Sequence, residues 1–273
     1  MDWRLLIEGE PSQRGLLTGP FDGPFNMGVD EALLETALEA GRPTLRFYSW
    51  RGPWLSVGYA QQVEPEQQSR LEAAGVGLVR RVTGGRAVLH GQDLTYSIAA
   101  PDGVLPDGVR ESYGAVADAL LSGLAELGVP VLRSGPEARA PGAGVFDCFV
   151  SPATDEISLG GRKLSGSAQR RVVGGFLQHG SIRLAPDPRS AVRAVAPGEG
   201  GLGGTSLAEE GYTLSALALA EASLRGFERC LDARLEPAPL TAGELARARI
   251  RGSEPAGESH LRDAGSGRIP AKS

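Results

Sequence analysis

Short runs of apolar and aromatic residues at 3–8, 44–50 and, after Gly52-Pro53, 54–60 have the length and composition of strands. Between the first two the period changes. Val29, Leu33, Ala37 and Ala40 share one helical face, Asn26 is a candidate N-cap, Asp30 and Glu31 suit a first turn, and Gly41 with Pro43 ends the helix. A second helix fits Glu64 to Ala74, closed by Gly75, and strands follow at Leu78 to Val82 and Leu94 to Ala100. Val109, Tyr113, Val116, Leu120, Leu124 and Leu127 are spaced by 4, 3, 4, 4 and 3, which predicts an amphipathic helix stopped by Gly128 and Pro130. Extended pieces are expected at 145–150, 155–159, 162–169 and 176–184. A long helix from about Thr213 to Leu231 turns Leu214, Leu217, Leu224 and Phe227 inward, and a short one starts near Thr241. The Gly-rich stretches 138–145 and 197–205 read as loops.

Helices and strands are interleaved, yet many strands follow one another through short turns. The pattern predicts one domain over 1–250 of α/β (α+β) class, with a mixed, largely antiparallel sheet and helices packed on it. From 251 to 273 apolar residues nearly vanish, and burial there cannot offset the entropy of ordering, so a disordered tail is expected.

Bulk composition mostly excludes functions. A net charge of −5 without a basic run argues against a nucleic-acid clamp. No apolar stretch approaches the roughly 20 residues of a membrane span, and acidic residues interrupt the N-terminal apolar run, so a cytoplasmic protein with no membrane partner is expected. The basic residues are 26 Arg and 2 Lys, and one lysine, Lys272, sits at the C-terminal end. In a chain that uses arginine for ordinary positive charge, Lys163 is a candidate for work a guanidinium cannot do.

Four segments could carry chemistry. In Arg80 to His90 a strand breaks at Gly84-Gly85 and resumes; two glycines let a backbone approach a ligand, and the flanking arginines could meet an anion, although a hairpin with solvated arginines fits equally. Neither a P-loop nor a dinucleotide fingerprint is present. In Gly160 to Arg170 strand alternation puts Lys163, Ser165 and Ser167 on one face among small residues that leave room for a thin substrate, the alternative being a solvated hairpin lysine. Cys148 stands between Phe146 and Phe149, 15 residues before Lys163, and a cation near a thiol favours the nucleophilic thiolate. Cys230, near Phe227 and Leu231, reads as an inert buried thiol. His179 could be a base, but a histidine bonded to nearby backbone is the commoner case; His90 and His179 stand too far in sequence from carboxylates or cysteines for a metal site.

Taken together, Asn26-Met27-Gly28-Val29-Asp30-Glu31-Ala32-Leu33, Arg46 to Trp50, Ser56-Val57-Gly58-Tyr59, Arg80 to His90, Gly161 to Gln169 and Leu177 to Ile182 resemble the lipoate- and octanoate-protein ligases and transferases, relatives of biotin-protein ligases. The resemblance covers about residues 3 to 249 and implies a biotin/lipoate protein ligase-like catalytic domain. Cys148 implies the octanoyltransferase branch: an acyl group taken from octanoyl-acyl carrier protein, held as a thioester and passed to the acceptor lysine of the glycine-cleavage H protein or another lipoyl domain, without ATP or metal. On this resemblance Cys148 is the nucleophile and Lys163 lowers its pKa and positions the carbonyl. Arg81, Gly84, Gly85, Arg86, Ala87, His90, Gly166, Ser167, Ala168, His179 and Gly180 bind substrate. An ATP-dependent lipoate-protein ligase, an octanoyl amidotransferase between lipoyl domains and a non-catalytic carrier of a small acid remain alternatives. Two departures from the family pattern are Asp155 before Glu156, where an aromatic is usual, and Arg249-Ile250-Arg251-Gly252 in place of a Lys-Tyr pattern in the last helix.

Overall fold

The computed structural model describes residues 1–8, 21–134, 156–197 and 202–253. Their strands form two sheets. The larger has eight strands, β1 (Asp2–Ile7), β2 (Thr44–Tyr48), β6 (Asp93–Pro101), β7 (Leu132–Arg133), β8 (Ile157–Leu159), β9 (Arg162–Val172), β10 (Gly175–Arg183) and β11 (Arg234–Pro237), in the order β11-β1-β2-β6-β10-β9-β8-β7. β1 is parallel to β11 and β2, and every other pairing in this sheet is antiparallel. The smaller sheet is β4 (Gly77–Arg80), β3 (Trp54–Val57) and β5 (Val88–His90), in that order. A mixed, largely antiparallel sheet with packed helices is thus what the chain forms.

Two pairs of helices cover opposite faces of the large sheet. α3 (Val109–Glu126) and α5 (Ala216–Leu231) pack together on one face, where Trp3, Leu5, Phe47, Tyr96, Ile98 and Phe176 meet Leu120, Leu124, Leu224 and Phe227. α1 (Gly23–Ala40) and α6 (Ala242–Ser253) cover the other, where Val29, Leu33 and Leu34 meet Leu6, Ala99 and Leu177. Period-two alternation along β1 splits Leu5 and Ile7 from Leu6 in this way, as a sheet buried on both faces requires. α2 (Pro65–Ala73) and α4 (Arg189–Val195) close the small sheet around Leu55, Leu71, Leu89 and Val195.

On the α1 face the strands carry polar residues in buried positions: Arg46 on β2, Asp93, Thr95 and Ser97 on β6, and His179 and Ser181 on β10. Arg46 is fully buried and uses all five of its N–H groups. Nε and Nη2 donate to Glu8 Oε2 at 3.0 and 2.6 Å, Nη1 to Asp30 Oδ1 at 2.7 Å and the Asn26 carbonyl at 3.1 Å, and Nη2 to Asn26 Oδ1 at 2.7 Å. Asp30 also accepts from Ser97 Oγ and the Tyr48 hydroxyl, at 2.8 and 3.0 Å. Burial alone would raise the Asp30 carboxyl; Arg46, then His179 and Ser97, outweigh it and hold it below its ordinary range.

Several boundaries differ from the sequence expectation. Asn26 is not the cap of α1: the helix begins at Gly23, Asp22 Oδ1 accepts from the Phe25 N–H at 3.0 Å, and Asn26 and Asp30 point one turn apart into Arg46. Gly41 does end α1, in the left-handed conformation at φ 64°. β9 runs three residues longer than expected and β10 is displaced by one residue, while α4 and β11 give too few periodic residues to be read from sequence. α6 continues to Ser253, three residues into the segment expected as a tail, because Gly252 packs against Pro24 of α1. The pieces expected at 138–145 and 145–150, and the rest of the tail, lie outside the described residues. No described helix is long and apolar enough to cross a membrane.

Replacing Arg46 by Met strands two buried carboxylates, Glu8 and Asp30. The expected cost is about 3–5 kcal/mol, read as a lower denaturation midpoint; an unchanged midpoint would show that the cluster does not hold the fold.

Candidate functional site

Two cavities meet at the double glycine. The inner one, of about 390 Å³ empty space, runs between the two sheets and is walled by Met27, Trp50, Val88 and Ala168, with Gly85, Gly166 and Gly180 also in its lining. The outer one, of about 950 Å³ and more open, is lined by Tyr59, Gln61, Gly84, Arg86, Gln169 and Arg170 among others, and shares Gly85 with the first.

The loop between the cavities is held from behind. Arg81, buried, donates from Nη2 to the carbonyls of Gly84 and Arg86 at 3.0 and 2.9 Å and from Nη1 to the Ser56 carbonyl and Oγ at 2.7 and 2.8 Å. Arg80 donates to the carbonyls of Gly58, Tyr59 and Gln61 at 2.8, 3.1 and 2.6 Å. Both arginines expected to meet an anion therefore spend these N–H groups on turn carbonyls, which would otherwise lack donors. Gly85 has φ 89°, a conformation that favours glycine, and a Cβ on Gly58 would sit 1.9 Å from the Gly85 oxygen.

Two histidines are fixed by buried carboxylates. His90 Nδ1 lies 2.8 Å from Asp93 Oδ2 and its Nε2 lies 2.7 Å from Ser56 Oγ. A carboxylate can only accept, so Nδ1 carries a proton and donates it to Asp93. Asp93 also accepts from Thr95 Oγ1, Ser181 Oγ and the Gly91 N–H at 2.9, 2.6 and 2.9 Å. Trp50 stacks on His90 at 4.0 Å and donates to Thr95 at 2.8 Å. By the same logic His179 gives Nδ1–H to Asp30 at 3.2 Å and accepts from Thr83 Oγ1 at 2.6 Å, which ties the Arg46 cluster to the double-glycine loop. Burial lowers the His179 pKa, with Arg81 and His90 adding to this; Asp30 opposes it without cancelling it, so the ring is neutral at pH 7.

Among the expected site residues, Arg81, Gly85, His90, Gly166, Ser167, Ala168, His179 and Gly180 line the inner cavity, and Gly84 and Arg86 the outer one. Ala87 instead packs with Leu55 and Leu89 in the small-sheet core. Cys148 lies outside the described residues. Lys163 is no solvated hairpin lysine: it is buried and ion-paired, its Nζ 2.6 Å from Glu156 Oε1 across the β8–β9 hairpin, and it stands outside the residues that line the inner cavity. Three readings need correction. His179 bonds side chains rather than backbone and lies inside β10; His90 is not remote from carboxylates, since Asp93 is three residues on; and Cys230 is exposed rather than buried, because it falls on the outer side of α5. No described group of three or more His, Cys, Asp and Glu residues is placed to hold a metal ion.

Sequence reasoning missed Asp93, Ser56, Thr83, Glu156 and the pair Gln169 and Arg170. Asp93 had a signal, a carboxylate directly before a strand and three residues after a histidine. Glu156 had another, its position across a Gly160-Gly161 turn from Lys163.

Residues 22–212 match the family described as Lipoyl protein ligase A/B catalytic domain. The octanoyltransferase LipM of Symbiobacterium thermophilum is 40% identical over 255 residues, spanning 86% of this chain and 92% of that protein. LipM of Staphylococcus aureus is 35% identical, over 84% and 90% respectively. Among solved structures, a putative lipoate protein ligase from T. acidophilum with bound lipoic acid superposes with a TM-score of 0.69 at 22% identity, covering 92% of this chain and 94% of that one. Lipoate-protein ligase A bound with ATP gives 0.68 at 23% identity, over 92% and 94%. At that identity these two structures establish the shared fold.

Gly58→Ala is expected to displace the double-glycine loop through the Gly85 carbonyl and to lower acyl-substrate turnover at least tenfold while the far face of the sheet keeps its structure; near-normal kinetics would count against a fixed loop. The depressed His179 pKa sets a second expectation. Unfolded chains take up a proton near pH 6.5 that the folded ring refuses, so stability falls as pH drops below about 6.5. His179→Gln should flatten that slope between about pH 6.5 and 5, measured by urea unfolding.

Proposed function

Because the chain belongs to the Lipoyl protein ligase A/B catalytic-domain family, we propose that it is an octanoyltransferase of lipoate biosynthesis that works through a cysteine thioester. The observation that carries the reading is the cavity behind the double glycine, with mostly apolar walls, next to a strand that carries a buried lysine. The LipM relatives support octanoyl as the group moved. An eight-carbon chain laid against Met27, Trp50, Val88 and Ala168 gains ~0.8 kcal/mol per methylene withdrawn from water.

The donor is octanoyl-acyl carrier protein. Cys148 thiolate attacks its thioester carbonyl, the new C–S bond forms as the carrier's C–S bond breaks, and the carrier thiol takes the proton that Cys148 gave up. The lysine amine of the acceptor, the H protein or another lipoyl domain, then attacks the acyl-enzyme carbonyl. An amide forms, the amine proton is lost and Cys148 leaves as thiolate, ready for the next donor. Thioester exchange is nearly balanced and amide formation is downhill, so the cycle needs neither ATP nor metal. The Glu156 carboxylate that holds Lys163 follows Cys148 by eight residues. Lys163 brings to this end of β9 a compact ammonium suited to an acyl oxygen or a thiolate. Lys163 is committed to Glu156, and on this reading the acceptor amine comes from another protein, in the cytoplasm.

Incubation with octanoyl-acyl carrier protein is expected to add one octanoyl group to the intact protein, and Cys148→Ser to abolish the adduct. No adduct, or one that survives Cys148→Ser, overturns the thioester route. Transfer that requires ATP and free acid and survives the substitution would identify a ligase instead. Glu156→Gln, which removes the charge on Lys163's partner, should slow adduct formation more than tenfold without unfolding the chain.

A further inference from the structure

Three polar groups at the inner cavity take no part in the thioester chemistry, and strand register explains how they meet. β3 and β5 pair antiparallel with Ser56 opposite Val88 and Trp54 opposite His90, while Leu55 and Leu89 point into the small-sheet core. Alternation turns Ser56, Val88 and His90 to the other side of that sheet, and all three line the inner cavity. Asp93 reaches His90 from the start of β6 on the large sheet.

Ser56 Oγ lies 2.7 Å from His90 Nε2, and His90 Nδ1 lies 2.8 Å from Asp93 Oδ2. Arg81 gives this chain a direction, since its Nη1 donates to Ser56 Oγ at 2.8 Å. A guanidinium only donates, so the serine hydrogen is left for His90 Nε2 or for the Val88 carbonyl at a longer 3.5 Å. In the neutral ring Nε2 is an acceptor, and the hydroxyl then points at a base. The Arg81 charge beside Oγ favours a negative oxygen there, which eases loss of the serine proton.

The far end of the chain is fixed. Asp93 accepts from Thr95, Ser181 and the Gly91 N–H as well as from His90. Burial alone would raise its carboxyl, but His90, Ser181 and Gly91 outweigh that and hold it below the ordinary range. Trp50 stacks on the His90 ring at 4.0 Å with 15° between the planes, which limits rotation of the imidazole. Hydroxyl, imidazole and carboxylate in this order are the parts of a serine acyl-transfer centre. Beside them Met27, Trp50, Val88 and Ala168 offer apolar wall to an acyl chain.

We propose that Ser56, His90 and Asp93 form a second acyl-accepting centre that hydrolyses small, uncharged acyl esters, with Ser56 as nucleophile, His90 as base and Asp93 orienting the ring. Ser56 Oγ attacks the ester carbonyl and gives its proton to His90 Nε2. The new O–C bond forms as the bond to the leaving alcohol breaks, and that alcohol takes the proton. Water then attacks the acyl-serine, a proton returns through His90 to Oγ, and the acyl group departs as the carboxylic acid. The substrates are free esters that enter the cavity whole rather than carrier-bound thioesters. This centre shares the inner cavity with the octanoyl-transfer reading but uses neither Cys148 nor Lys163, so each is tested without the other.

The probe is p-nitrophenyl octanoate with full-length Cys148→Ala protein, in which no turnover passes through that thiol. Nitrophenolate release is expected, and adding Ser56→Ala or His90→Gln should lower kcat/KM at least about 100-fold. Ser56→Ala leaves Arg81 its bond to the Ser56 carbonyl, so the denaturation midpoint should match that of the parent. An octyl fluorophosphonate should add one phosphonyl group to Ser56, located by peptide mass mapping, and block release. Turnover that survives Ser56→Ala, a fluorophosphonate that leaves Ser56 unlabelled, or no release from folded Cys148→Ala protein overturns the proposal. The Cys148 octanoyl adduct of the wild type is measured separately, and its presence or absence decides the thioester route alone.

Discussion

The buried guanidinium of Arg46 is the constraint around which the functional face of this fold is arranged. A charge removed from water is tolerated only where every donor is answered, and five N–H groups need acceptors from three directions. Glu8 comes from the end of β1, Asn26 and Asp30 from one side of α1, and the Tyr48 ring lies 3.7 Å beneath the guanidinium carbon. The register of β1 on β2 and the rotation of α1 about its axis are therefore fixed together. Asp30 passes the constraint on, since its second oxygen orients His179, and His179 in turn orients Thr83 at the root of the double-glycine loop.

From that network follows the division of labour across the large sheet. One face of β2, β6 and β10 is apolar and packs on α3 and α5; the opposite positions on the same strands are Arg46, Asp93, Thr95, Ser97, His179 and Ser181. Each is hydrogen-bonded to a neighbour, so the face is polar in composition yet leaves few groups seeking water. A cavity beside it can therefore hold an apolar chain against Trp50, Val88 and Ala168 while the polar groups stay committed behind.

Much of the fold was legible because amphipathic periodicity and turn glycines are local signals. Helices α1, α2, α3 and α5 and strands β1, β2, β3, β6 and β10 stand close to where the pattern put them. The misreadings share a physical cause, a polar residue taken as evidence of exposure or of a helix end. Asn26 looked like a cap because helix interiors rarely bury an amide; only the long-range partner Arg46 makes it an interior residue. Cys230 erred in the opposite sense, since a thiol beside Phe227 suggested burial while the helix turns it outward. The double glycine and the small-residue strand were visible as cavity walls. Their flanking arginines were misjudged, because a carbonyl-rich turn 20 residues away in sequence carries no local sign of needing donors.

The scarcity of lysine acquires a physical sense from the contrast between Arg46 and Lys163. At Arg46 the site demands a planar fork with five donors, and an ammonium would leave carboxylate and carbonyl acceptors unanswered. At Lys163 the charge faces a carboxylate oxygen at 2.6 Å on a strand of glycines and serines, buried where a guanidinium would have to displace its neighbours. A chain drifting toward arginine at every tolerant position would keep a lysine where the fork does not fit. The same reasoning applies to the arginines at the double glycine: Arg80 and Arg81 bind carbonyls at several angles at once, as only a fork can. At Arg46, too, a lysine would restore the charge without the geometry.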